Sequence, residues 1–154
     1  MARSVLNVDD FEWVELTNVT DQTVDLGGCE LRDAGSDVHT IAGSLVAAPN
    51  TPLLLVRTAS ETEYGKAPDY VYGTSFGLGN TGDEITLRCD GVTIDTVTYT
   101  SSWVVLGTSQ QLSGTSFDAA SNDAMSNWCP GTATYNAVPK YGTPGSANHD
   151  CSNP

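Results

Sequence analysis

Gly77, Gly79 and Gly82 fit G-x-G-x-x-G. In that spacing the glycines let a dinucleotide pyrophosphate approach a helix N-terminus, provided that a strand precedes the motif and a helix comes after it. The residues after Gly82 do not have a helical pattern. Glu84 to Cys89 and Val92 to Tyr99 are rich in Ile, Val, Thr and Tyr, and only Asp90-Gly91 separates them, a dipeptide suited to the positive φ angles of a type I′ turn. The stretch from Gly77 to Tyr99 therefore reads as a loop and a β-hairpin, and its glycines as turn residues.

Other candidate chemistry is sparse. Hydrolysis needs a nucleophile with an oriented base, or paired carboxylates across a cleft. The histidines are His39, in a strand-like run, and His149, near the end of the sequence where a base would be poorly held. No serine sits in G-x-S-x-G. Catalysis is not expected and no cofactor is required. Calcium wants several hard oxygen ligands, and Asp9-Asp10 beside Glu12, or Asp33 with Asp37, are the candidates. Neither set has the dense D-x-D-x-D-G pattern, so solvated acidic loops are the competing reading. Trp13, Trp103 and Trp128 are the large platforms on which a sugar could stack. Trp128 is expected to pack a coil and Trp103 to close a strand end, which leaves one platform at most. Asn18-Val19-Thr20 matches the N-glycosylation sequon and also suits a turn.

The elements that must position these residues are strands. No stretch sustains apolar residues at i, i+3, i+4 and i+7 over three turns. Strand-like runs recur between turn residues: Ser4 to Val8, Glu12 to Asn18, Thr23 to Leu26, Glu30 to Asp33, Val38 to Ile41, Leu53 to Arg57, Tyr70 to Tyr72, the hairpin, and Ser109 to Leu112. This spacing predicts a sandwich or barrel. Alternation places Val14 and Leu16 on one face and Trp13 and Glu15 on the other, so Trp13 meets a second layer or lies half exposed. In the hairpin, Cys89 should face Val92, Leu87 should face Ile94 and Ile85 should face Thr96. That arrangement puts Ile85, Leu87, Val92 and Ile94 on the core face. The apolar phase then changes in the second arm, and a bulge near Asp95-Thr96 would reconcile it. After Leu112 the sequence becomes rich in Ser, Thr, Asn, Asp, Gly and Pro, with Trp128, Tyr135 and Tyr141 as isolated anchors. It reads as ordered coil, giving one domain over residues 1–154 with a core of about 4–112 and a coil of 113–154.

Lysine and arginine number 6 against 19 acidic residues, a formal net charge of -13. Such a field repels phosphate backbones and anionic lipid heads, which argues against nucleic acid as a partner. The longest apolar runs are far too short to span a bilayer. Cys29, Cys89, Cys129 and Cys151 include no C-x-x-C and no zinc spacing. Four cysteines allow three pairings. Cys29 with Cys89 and Cys129 with Cys151 are preferred, the second because it would tie the irregular C-terminal region to the body. Disulfides imply an oxidising compartment, so a secreted or cell-surface location is expected, although the opening residues MARSVLNVDD contain no apolar signal core.

An ordered series of segments carries a family resemblance: Glu12 to Asn18 (EWVELTN), Val24 to Asp33 (VDLGGCELRD), Pro52 to Val56 (PLLLV), Leu78 to Leu87 (LGNTGDEITL), Asp90 to Tyr99 (DGVTIDTVTY) and Gly142 to Asn148 (GTPGSAN). It resembles bacterial lamin tail domains over nearly the whole chain. The resemblance implies an immunoglobulin-like β-sandwich, in a family whose bacterial members are mostly exported or cell-surface modules, and it brings no catalytic residues with it. The segment between Val5-Leu6-Asn7 and Glu12 is shorter than the family's usual first loop. The acidity separates this chain from animal lamin tails and their chromatin partners. The expected function is a non-catalytic module that binds a protein or cell-surface partner. A self-assembling subunit, or a calcium-dependent or carbohydrate-binding module, is the alternative.

Overall fold

The computed structural model of the chain describes residues 9–136 and 140–152; the expected strand at Ser4 to Val8 lies outside them. The strands in chain order are β1 (Trp13–Thr17), β2 (Val24–Asp25), β3 (Glu30–Arg32), β4 (Val38–Thr40), β5 (Val46–Ala47), β6 (Pro52–Val56), β7 (Tyr70–Val71), β8 (Gly82–Cys89), β9 (Val92–Thr100), β10 (Gln110–Leu112) and β11 (Trp128–Pro130). A single helical turn, α1 (Glu61–Tyr64), comes after β6. One sheet has the order β4-β3-β8-β9, antiparallel throughout. A second has the order β1-β6-β7, with β7 parallel to β6, and the pairs β2-β5 and β10-β11 form two small antiparallel sheets. Val14, Leu53 and Leu55 from the second sheet meet Leu31 and Leu87 from the first around Ile41, Tyr72 and Phe76. The result is an immunoglobulin-like β-sandwich.

β6 is apolar at every position because both of its faces are covered. Leu53 and Leu55 point into the core between the sheets, while Leu54 and Val56 join Trp13, Tyr64 and Phe11 in a second cluster. Trp13 is only 3% exposed, so its face of β1 has the second layer that alternation left open. Tyr64 reaches that layer from α1, a turn that apolar periodicity is too coarse to reveal. Its signal is local: Ser60 Oγ accepts the Glu63 amide, and Gly65 ends the turn at φ 73°.

The hairpin differs from its expected register. Asp90 (φ 50°) and Gly91 (φ 80°) make the predicted turn, and Cys89 faces Val92. Leu87, however, faces Asp95 rather than Ile94, and Ile85 faces Val97 rather than Thr96. The extra residue sits at Ile94, just before the expected Asp95-Thr96 position. Val92 and Ile94 are 61% and 52% exposed rather than in the core. The bulge resolves the change of phase by sacrificing these two apolar residues near the turn, so that Val97 and buried Tyr99 share the face of Ile85 and Leu87.

Two disulfides join Cys29 to Cys89 and Cys129 to Cys151. The first lies beside the Glu30–Arg88 pair of the β3–β8 ladder, within one sheet. The second ties the coil to β11, a strand hidden inside the polar C-terminal composition. The coil is held by specific bonds: the Trp128 indole N–H donates to the Asn122 carbonyl (2.7 Å), the Asn127 amide to the Ser121 carbonyl (2.8 Å), and Ser113 Oγ to Asp150 Oδ1 (3.1 Å).

Candidate functional site

The glycine motif binds the protein's own carboxylates. Three consecutive backbone amides are held: Gly77 by Asp37 Oδ2 (3.1 Å), Leu78 by Glu12 Oε2 (3.2 Å) and Gly79 by Asp83 Oδ2 (2.7 Å). A Cβ on Gly79 would stand 2.8 Å from the Gly82 carbonyl, and Gly82 itself has φ 121°. The glycines permit close backbone approach and a strained turn, and the motif runs into β8 where a dinucleotide site needs a helix.

The same bonds account for most of the calcium candidates. Glu12 is buried and also pairs with Arg57 Nη1 at 3.1 Å. Asp33 Oδ1 accepts the Asp37 amide at 2.8 Å. Glu12 and Asp37 thus meet at the glycine loop, where they act as acceptors for backbone amides. Asp10 is exposed, and Asp9 lies with it in the short 3-10 helix Asp9–Phe11. Among the described residues no group of three or more His, Cys, Asp or Glu side chains could hold a metal ion.

His39 is likewise committed. Its Nδ1 lies 2.7 Å from Ser75 Oγ and its Nε2 lies 2.9 Å from the Tyr70 hydroxyl. Ser75 donates to the Tyr72 carbonyl, and Tyr70 accepts the Ala42 amide. One proton arrangement satisfies the chain: Tyr70 donates to Nε2, and Nδ1–H donates to Ser75. In that tautomer the ring does not accept the serine proton, so the pair is a polar brace and not a nucleophile with its base. In the sequon, the Asn18 amide donates to the Gln22 and Ala47 carbonyls, which uses its nitrogen within a turn.

A cavity of about 360 Å³ is lined by residues of β1, β8, β9 and β10 and of the C-terminal coil. β1 and β9 are the terminal strands of their sheets and form its sides. β10, Trp103, Trp128 and the coil around Asp118 and Ala147 close it. Trp13 and Trp103 are buried and Trp128 is half-buried. None of the three is the exposed platform that a sugar would need, and all three line this cavity. Tyr99 and Trp103 stack with ring centroids 6.4 Å apart, and Trp103 meets Trp128 at 5.2 Å.

The polar groups of the wall include acids and amides as well as hydroxyls and the tryptophan indoles. Glu15 accepts the Gly145 amide, yet burial raises its carboxyl to about 7. Asp95 accepts the Asn122 amide at 2.6 Å and is also raised, chiefly by burial. Gln111 Oε1 and Asn122 Oδ1 are buried without a hydrogen-bond partner. The site is not visible in any one stretch of the sequence, because its walls come from strands and coil far apart in the chain. The one available signal was the cluster of Trp, Gln and Asn residues after the hairpin.

The model of the Lamin Tail Domain family matches residues 2–101. The chain belongs to the lamin tail domain family. Searches of curated proteins and of solved structures found no match. The lamin tail match includes β1, β8 and β9, and it ends before Trp103, β10 and Trp128. The cavity is therefore enclosed jointly by the family's sandwich and by the segment C-terminal to it.

Proposed function

We propose that this lamin tail domain is a non-catalytic, exported module that binds a protein or cell-surface partner. The observation that carries the reading is the commitment of its reactive-looking groups to internal structure: the glycine-loop amides to Asp37, Glu12 and Asp83, and both His39 nitrogens to Tyr70 and Ser75. The two disulfides support an oxidising location, and among the described residues no helix is long and apolar enough to cross a membrane. Strong acidity favours a basic or cation-bearing partner surface over nucleic acid. Fractionation of native cells with thiol alkylation tests this reading. The protein should be found outside the cytosol with four unmodified cysteines, and reduced cytosolic protein would overturn it.

A second reading, self-assembly, is favoured by exposed Val92 and Ile94 on the terminal strand β9. Sedimentation over a wide concentration range decides it, since a strictly monomeric species would exclude assembly.

A further inference from the structure

We infer that the cavity between the sandwich and its C-terminal coil is a binding site for a small, mostly apolar molecule, uncharged or cationic, that carries a hydrogen-bond donor. This goes beyond a macromolecular partner, which would dock on the outer surface.

Three independent features converge. The first is size and wall: about 360 Å³ lined by Leu16, Ile85, Val97, Tyr99, Trp103 and Trp128 among others, at the small end of the ~300–1,000 Å³ typical of small-molecule pockets. The second is the orphaned polar pair. Gln111 and Asn122 are 3% and 8% exposed, and both leave an amide oxygen without a partner. The Asn122 orientation is fixed because its nitrogen donates to Asp95. A buried acceptor without a donor is costly, and a ligand N–H or O–H would remove that cost. The third is charge. Among the described residues the wall contains Glu15, Asp95 and Asp118 and no Lys, Arg or His. Beside the Trp13 indole N–H, a third buried group without a partner, the wall's acids, amide oxygens and aromatic faces suit a hydroxyl or an ammonium, and its negative charge disfavours a carboxylate.

The inventory of tryptophans supplies the readout, since all three in the chain line this cavity. The intact, oxidised protein is titrated with 2-phenylethanol, 2-phenylethylamine and 3-phenylpropanoate, with tryptophan emission excited at a wavelength the probes do not absorb, and with calorimetry in parallel. The alcohol and the amine should shift the emission saturably, and the carboxylate should bind at least tenfold more weakly. Gln111→Met, which keeps the side-chain volume and removes the acceptor, should weaken the alcohol at least fivefold. Ile94→Phe, at the exposed mouth, should weaken both ligands, while Val92→Ala, outside the wall, should leave them unchanged. If Gln111→Met fails to fold, the Ile94→Phe and Val92→Ala pair decides. Absence of saturable binding by the alcohol and the amine, equal binding of the carboxylate, or equal effects of Ile94→Phe and Val92→Ala would overturn the site.

Discussion

The Glu12 carboxylate accepts the backbone amide of Leu78 at 3.2 Å, across 66 positions of sequence. It also pairs with Arg57, so one buried charge ties β1, β6 and the glycine loop together. Glu12→Leu would leave the Arg57 guanidinium and the Leu78 amide without this acceptor and is expected to cost about 3 kcal/mol. Glu12→Gln keeps an acceptor and should cost less. Urea denaturation of both variants measures the difference, and equal costs would contradict the role given to the charge.

The disulfides should differ in worth. Cys29–Cys89 closes 60 residues and Cys129–Cys151 closes 22. Chain-entropy reasoning gives about 4 kcal/mol for the first and about 3 kcal/mol for the second. Paired Cys→Ser variants should show that order in urea, and loss of the second should weaken the near-ultraviolet signal of the Trp103–Trp128 pair.

Stability should fall as pH rises from about 4.5 to about 7 through the contribution of Glu15. Its carboxyl has an ordinary value of 4.5 and is held at about 7 in the folded chain, chiefly by burial. Between those values the folded state binds the extra proton, so deprotonation penalises folding, and the penalty is complete above 7. Residual solvent contact keeps the effect at about 2 kcal/mol, below the full conversion of ~1.4 kcal/mol per unit. Glu15→Gln should flatten this part of the stability-pH curve and raise stability at pH 8. An unchanged slope would remove Glu15 as its source.

The bulge at Ile94 makes an apolar residue dispensable. Val92→Thr and Ile94→Thr should change stability by no more than about 0.5 kcal/mol. Leu31→Ala, at a fully buried position on the neighbouring strand β3, should cost about 3 kcal/mol. Thermal melts of the three variants test the register directly, because the unbulged alternative puts Ile94 in the core.

Much of the fold was legible because alternation and turn chemistry are local. Asp90-Gly91 marked the hairpin, and alternation put Trp13 and Val14 on opposite faces while leaving open whether Trp13 met a second layer or lay half exposed. The position of the bulge was not legible to the residue, since either phase of β9 satisfies the local pattern and only the rest of the sandwich chooses between them. β11 was hidden for a related reason: Trp-Cys-Pro in a polar coil becomes a strand through pairing with β10 and the bond from Cys129 to Cys151. The cavity was the least legible feature. It depends on where β1 and β9 end their sheets and on a coil returning to cover the gap, which no short window encodes.

The cross-strand bond between Cys29 and Cys89 also sets how the chain responds to tension. Pulled by its ends, the oxidised protein could not extend the residues enclosed by its two covalent loops, which hold about half of its length. Reduction would release them, at roughly 3.3–3.6 Å of contour per residue. Redox state would therefore set the reach of the unfolded chain, making the domain a short tether when oxidised and a long one when reduced.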